Sequence, residues 1–282
     1  MIPLAEAAGA PAPASAAAAW NQAWLAARQR TGRRRGRESW DQRAPAFARD
    51  AGKSGYAGRL LELLRPEPDW EVLDVGCGAG TLALPLASRV RAVTAVDYSS
   101  RMLELLGERC AAAGVANVTP RLGAWEDDWA GLGLGRYDLA IASRSLTTDD
   151  LRGALQKLDA AARRLAVVVA PVGEGPIDGR VFAAVGRPFV AGPDYLYAYN
   201  LLHALGRYAS VTFVENTDAR RYPSREAAVE GLLWMIADPT DAEVARLRAW
   251  LDRELVPADG GWRLARPRTV RWAVLTWTPG AD

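Results

Sequence analysis

An α/β fold built on a parallel sheet is what this sequence predicts, and three observations predict it. An apolar run, Val72 to Val75, breaks directly into glycines at alternate positions, Gly76, Gly78 and Gly80. A second β-branched run, Ala92 to Val96, ends on an acidic residue, Asp97. Short apolar runs then alternate with helical periods as far as Ala170. Buried runs of that kind, separated by helices, form parallel sheets with helices on both faces.

The chain has 282 residues, 50% of them hydrophobic, enough for a sizeable core. Its formal net charge of +2 gives no global drive toward nucleic acid or an anionic membrane. Two cysteines, Cys77 and Cys110, allow no disulfide framework and no cysteine-rich zinc site, and no metal site is expected. A reducing cytoplasm fits that usage. Met1 to Ala19 is Ala- and Pro-rich without a basic start or a compact apolar stretch, so it reads poorly as a signal peptide. No run approaches the apolar length of a bilayer span.

In order, Ala16 to Arg30 reads as a helix with Trp20 and Trp24 on one face. Gly32 to Arg37 is an arginine run; without interleaved aromatics it reads as a solvated linker rather than an RNA platform. Helices follow within Glu38 to Leu64, the last from Tyr56. The first strand and its glycine loop lead to a helix from Leu82 to Arg89, with Thr81 as a candidate cap. Glycines there leave the backbone open to a ligand, with N–H groups facing it. After the Asp97 strand, Ser99 or Ser100 can cap a helix. Strands are predicted at Asn117 to Leu122, Tyr137 to Ala142, Leu165 to Ala170 and Ala209 to Glu215, with the last at Thr269 to Thr278. Helices are predicted at Asp149 to Arg163, Ile177 to Val185, Gly192 to Leu205, Pro223 to Ile236 and Asp241 to Leu251.

Asp74 precedes the first glycine, giving Asp-x-Gly-x-Gly-x-Gly, and Asp97 stands where a carboxylate can accept from a ribose diol. This set resembles the class I S-adenosylmethionine (SAM) methyltransferases, well over Trp40 to Ala170 and loosely beyond. A dinucleotide dehydrogenase carries Gly-x-Gly-x-x-Gly near the start of its domain, which is not the pattern here. The resemblance implies a Rossmann-like seven-stranded, mostly parallel sheet with helices on both faces, a seventh strand antiparallel beside the sixth closing it, an N-terminal helical lid, and helical insertions after strands 5 and 6. Residues 1–37 then read as an extension with one helix, of which 1–36 should be dispensable, and 38–282 as the methyltransferase domain. Within it, 38–70 is the helical leader, and 171–208 and 217–268 are insertions near the substrate.

The resemblance implies SAM as cofactor and assigns it the loop residues Asp74, Gly76, Cys77, Gly78 and Gly80, with Asp97 on the ribose. Cys77 reads as a small packing residue there. Tyr98 follows, and Met102 would pack on the adenine face. Where the family often has Gly-Asp, this chain has Gly123-Ala124; Ala124, the Trp125 N–H, Glu126 and Asp127 are the candidates near the adenine, with Trp125 as core filler the rival. Arg43 and Tyr56 of the leader are the candidates to close over the methionine end, with a surface ion pair for Arg43 and helix packing for Tyr56 as the rivals.

The fourth strand ends in Ser143-Arg144-Ser145, hydroxyls and one guanidinium suited to a carboxylate or phosphate on a small substrate. Ser143 is counted with the cofactor residues and Arg144 with the catalytic candidates. No Asn- or Asp-Pro-Pro-aromatic tetrad for a flipped base stands there, nor a cysteine nucleophile. Tyr195 and Tyr199, at i and i+4 with Leu202 at i+7, are the other catalytic candidates, while His203 is too far along its helix. The expected reaction is SN2 methyl transfer to a small molecule, without nucleic acid or membrane as partner. The alternatives are an RNA or protein methyltransferase and a non-catalytic SAM-binding protein.

Overall fold

The computed structural model describes residues 13–32, 36–50, 52, 55–218 and 220–280. Arg33 to Arg35 of the arginine run lie outside the described residues. Three helices come first: α1 (Pro13–Arg30), α2 (Arg37–Asp50) and α3 (Tyr56–Leu64). The alternating part follows as β1 (Glu71–Val75), α4 (Ala83–Ala87), β2 (Ala92–Asp97), α5 (Ser100–Ala112), β3 (Val118–Leu122), β4 (Tyr137–Ser143), α6 (Leu151–Ala161) and β5 (Ala162–Pro171). Then come α7 (Gly179–Val185), α8 (Tyr195–Ala204), β6 (Ser210–Asp218), α9 (Arg225–Leu233), α10 (Asp241–Glu254), a hairpin β7 (Leu255–Ala258) and β8 (Gly261–Leu264), and β9 (Arg268–Trp277).

Seven strands form one sheet in the order β3-β2-β1-β4-β5-β9-β6. β1 to β5 pair in parallel. β9 runs antiparallel to both β5 and β6. β6 therefore points the same way as β1, and its end at Asp218 lies on the sheet edge where β1, β2 and β4 end. The expectation that the last strand closes the sheet is corrected here. β9 fills the gap between β5 and β6, and β6 is the edge. The central strands read as continuous buried runs because both faces are covered, with β4 and β5 carrying Leu139 to Ala142 and Ala166 to Val169 fully buried.

One face is packed by α1, α6 and α8, the other by α3 and α4, each with its own hydrophobic cluster against the sheet. α1 belongs to the first of these. Trp24 is 4% exposed, and its indole donates to the Thr148 carbonyl at 3.0 Å. Arg28 pairs with Asp149 at 3.0 Å. Residues 13–30 are thus a brace on the core rather than a separate unit. α7, α9, α10 and the β7–β8 hairpin make a satellite cluster of their own. Its α10 starts with a capping box between Thr240 and Glu243, and Arg187 pairs with the Glu243 carboxylate at 2.5 Å.

Candidate active site

Sequence places the glycine loop at the end of β1, and the structure shows how it is held. Gly76 and Cys77 donate to the Val96 carbonyl at 2.7 and 3.0 Å, and Gly80 donates to the Cys77 carbonyl at 3.0 Å. Gly78 donates to Asp97 Oδ2 at 2.8 Å, while Asp97 Oδ1 accepts from Ser99 N–H at 2.9 Å. These loop N–H groups are spent on the protein, so the expectation that they face a ligand is corrected. The glycines serve close packing instead. A Cβ on Gly76, at φ 70, would stand 2.3 Å from Ser145 Cβ. One on Gly78 would meet the Phe47 ring of α2 at 3.1 Å. α4 is shorter than expected, and Thr81 makes no cap bond; its buried hydroxyl has no partner. Cys77 is buried, as a packing residue should be, and burial drives its thiol pKa well up.

Asp74 and Asp97 are both buried, at 2% and 6% exposure. Burial, then the Asp97 charge, push the Asp74 carboxyl up to about 7, against the pull of Arg144. Among the described residues its Oδ2 has no hydrogen-bond partner. Burial also raises the Asp97 carboxyl, while its N–H donors from Ser99, Gly78 and Tyr98 oppose the shift. A carboxylate has about four acceptor sites, so the one that Ser99, Gly78 and Tyr98 leave can take a further donor.

At the end of β4 the chain turns sharply. Arg144 sits at φ 62, a conformation that costs a residue with a Cβ about 1 kcal/mol or more. The turn lays its guanidinium over the Tyr56 ring at 4.2 Å and the Trp272 ring of β9 at 5.4 Å. Tyr56, at 1% exposure, shares a 2.6 Å hydrogen bond with Ser143 Oγ. Burial raises the phenol pKa above its usual value. Ser145 Oγ donates to the Val75 carbonyl at 2.5 Å, tying this turn to the root of the glycine loop. Tyr56, Ser143, Arg144 and Asp74 thus converge, as their assignment to one site requires. Trp272 was not anticipated; a lone aromatic in a buried strand carries no sign of which neighbour it meets.

α2 lies over the loop. Trp40, Phe47 and Ala48 pack on a buried cluster of Ala44, Ala79, Met102 and Leu105. Ser99 Oγ donates to Asp41 Oδ1 at 2.5 Å. It also caps α5 by accepting from Met102 N–H at 3.0 Å. Arg43 is sandwiched between the Trp40 ring at 4.9 Å and the Trp234 ring at 4.1 Å. Among the described residues its Nη1 and the Trp40 Nε1 are buried donors without acceptors. Trp234 and Asp41 join the site from segments whose helical period gives no hint of a ligand.

Other predicted residues lie elsewhere or are otherwise engaged. Asp127 turns back to accept from Ala124 N–H at 2.9 Å, and Glu126 is exposed. Trp125 is buried, stacks on Trp129 at 5.4 Å and donates to the Ser145 carbonyl at 2.9 Å, so its side chain is a brace. Tyr98 is half-buried beside Asp97, and burial pushes its phenol up to about 12. Tyr195 packs edge-on against Phe213 at 5.6 Å. Tyr199 and His203 are exposed. None of the three has a hydrogen bond or ring contact to Tyr56, Ser143 or Arg144 among the described residues.

A glycine loop after β1, an acid ending β2 and a polar turn ending β4 define a Rossmann-like ligand-binding α/β protein. Residues 72–166 match the family described as Methyltransferase domain. A Haemophilus influenzae protein described as uncharacterized is 31% identical over 247 residues, covering 84% of this chain and 88% of its own length. Nocamycin O-methyltransferase of Saccharothrix syringae is 32% identical over 140 residues, 49% of this chain and 47% of its own. The fold is that of the YcgJ protein of Bacillus subtilis, with a TM-score of 0.54 and 15% identity over 80% of this chain and 99% of that one. The chain belongs to the class I SAM-dependent methyltransferases, enzymes whose cofactor is SAM. The atoms left unsatisfied fit that cofactor. Asp74 Oδ2 lacks a donor such as an ammonium, and Arg43 Nη1 and Trp40 Nε1 lack an acceptor such as a carboxylate. Among the described residues no helix is long and apolar enough to cross a membrane.

Proposed function

We propose that this methyltransferase acts on a small-molecule acceptor by SN2 displacement, in the cytoplasm. Residues 38–282 form the catalytic domain, and α1 braces it. The observation that carries the reading is the polar–aromatic cluster of Tyr56, Ser143, Arg144 and Trp272 at the end of β4, tied to the glycine loop through Ser145. The Nocamycin O-methyltransferase similarity supports it at half the chain's length.

When bound, SAM supplies a methyl group already activated by its positive sulfur. Asp97 would hold its ribose hydroxyls, Asp74 its ammonium and Arg43 its carboxylate, with Met102 and Tyr98 beside the adenosine. The glycines let Ser145 and Phe47 close on the loop, which excludes water. The remaining task is to orient the acceptor. Tyr56, a phenol whose pKa burial raises further from neutral, keeps its proton, so it orients the acceptor as a hydrogen-bond partner with Ser143 and is not a phenolate base. Arg144 is exposed beyond the rings it stacks on, open to an anionic group of the acceptor. This moves the orienting role from Tyr195 and Tyr199 to Tyr56 and Ser143.

The test is transfer from methyl-labelled SAM to a panel of small acceptors, total RNA and protein. Label in the small-molecule fraction, reduced at least tenfold by Tyr56→Phe and not by Tyr199→Phe, is expected. Label confined to RNA or protein would overturn the reading.

A further inference from the structure

Just past the end of β6 a hollow of about 300 Å³ is lined by Thr217, Arg220, Arg221, Tyr222, Arg263 and Leu264. Among the described lining residues three are arginines and none is acidic. Arg221 donates to the Asp259 carbonyl at 3.2 Å and Arg263 to the Leu264 carbonyl at 3.2 Å. Those acceptors are neutral, so they hold the side chains without cancelling their charge. Among the described residues neither arginine forms an ion pair with a carboxylate. Surface arginines on this chain commonly have one, as Arg225 does with Asp252 and Arg266 with Glu254.

The frame of the hollow is rigid. Tyr222 and Trp262 exchange two backbone hydrogen bonds of 2.8 Å, which pins the segment after β6 to β8. Tyr222 is 4% exposed, and a Cβ on Gly261 would stand 2.1 Å from its carbonyl oxygen. That close approach fixes the backbones that carry Arg221 and Arg263. Like charges kept together at a set spacing form a site prepared for an anion. Guanidinium forks match the oxygens of phosphate, and several of them suit more than one negative charge, whereas a single carboxylate is matched by one fork.

The end of β6 shares its sheet edge with the glycine loop and with Arg144. The positive charge of Arg220 is also felt by Arg43 on α2, whose pKa falls through burial and then through that repulsion. Arg220 also donates to the Gly231 carbonyl of α9 at 3.3 Å, three residues before Trp234, whose ring Arg43 of α2 covers at 4.1 Å, so the hollow adjoins α2. We propose that it binds phosphate, as the phosphorylated end of the methyl acceptor remote from the methylated atom. The phosphate part stands alone; the acceptor part rests on the small-molecule reading above.

Calorimetry of inorganic pyrophosphate on the full chain tests the first part. One site is expected, weakened about tenfold by Arg221→Gln or Arg263→Gln, partly restored by Arg221→Lys and weakened by added salt, with SAM affinity unchanged. Pyrophosphate should also protect Arg221 and Arg263 of the unaltered protein from phenylglyoxal, a readout that needs no variant to fold. No binding, no protection, or equal binding by the double Gln variant would overturn the proposal. So would a short single-stranded RNA that binds tighter than pyrophosphate and is lost in that variant. In the labelled transfer assay, phosphorylated acceptors should be preferred to their dephosphorylated forms, and the reverse preference would overturn the second part. Absence of any transfer would instead count against the parent reading.

Discussion

Asp74 is the residue whose burial has the clearest measurable consequence. Its carboxyl is fully buried with one oxygen unpartnered, and its pKa is pushed up to about 7. The unfolded chain loses this proton near the ordinary carboxylate value, while the folded chain holds it until about pH 7. Between those values the folded state binds more protons, so this group makes stability fall as pH rises, and above about 7 its contribution is flat. We expect Asp74→Asn to gain stability relative to the wild type, more at pH 8 than at pH 5, by urea unfolding without ligand. An equal difference at both pH values would refute this account of the charge. The presence of both acids was legible, because an acid before a glycine loop and an acid ending the next strand are local patterns. Which of their oxygens are spent was not. Asp97 uses both on Gly78 and Ser99, a matter of how β2 meets the loop, and no spacing encodes that.

At the scale of elements, apolar period gave the strands and most helices because each is long enough to bury a face. The β7–β8 hairpin escaped because its strands are short and half-buried, although Asp259-Gly260 is an ordinary turn signal. On α8 the aromatic stripe of Tyr195 and Tyr199 suggests a buried face, but Ala198, Leu201 and Leu202 are the buried residues. Tyr197, off the expected stripe, packs on Trp20 and Trp24 of α1 at 6.1 and 6.2 Å. The helix turns toward α1 and α6, a partner choice invisible in its own sequence. The same contact argues against the expectation that residues 1–36 are dispensable. We expect Trp24→Ala to cost about 3–5 kcal/mol in chemical denaturation, as for other buried aromatic truncations, and removal of residues 1–36 to cost at least as much. A truncated chain with unchanged stability would show that α1 is only an appendage. α10 offers a smaller test, since Thr240→Ala removes a cap and should cost about 1 kcal/mol.

On the scale of the whole molecule, the sheet order brings together side chains far apart in sequence. Tyr56 comes from α3, Asp74 from β1, Asp97 from β2, Arg144 from the end of β4 and Trp272 from β9. The parallel part of this arrangement was readable, since the glycine loop and Asp97 mark where β1 and β2 end. The contribution of β9 was not, because it depends on a strand inserted late between two earlier ones. The central assignment is that the Asp74–Gly80 loop with Asp97 is the SAM site. Titration calorimetry of SAM against the wild type and Asp97→Ala tests it most directly, with NAD as the control ligand. One SAM per chain is expected, with affinity reduced roughly 10- to 100-fold in a folded Asp97→Ala protein through loss of a charged acceptor worth about 1.5–3 kcal/mol, and no binding of NAD. Unchanged SAM affinity in that variant, or binding of NAD in place of SAM, would contradict it.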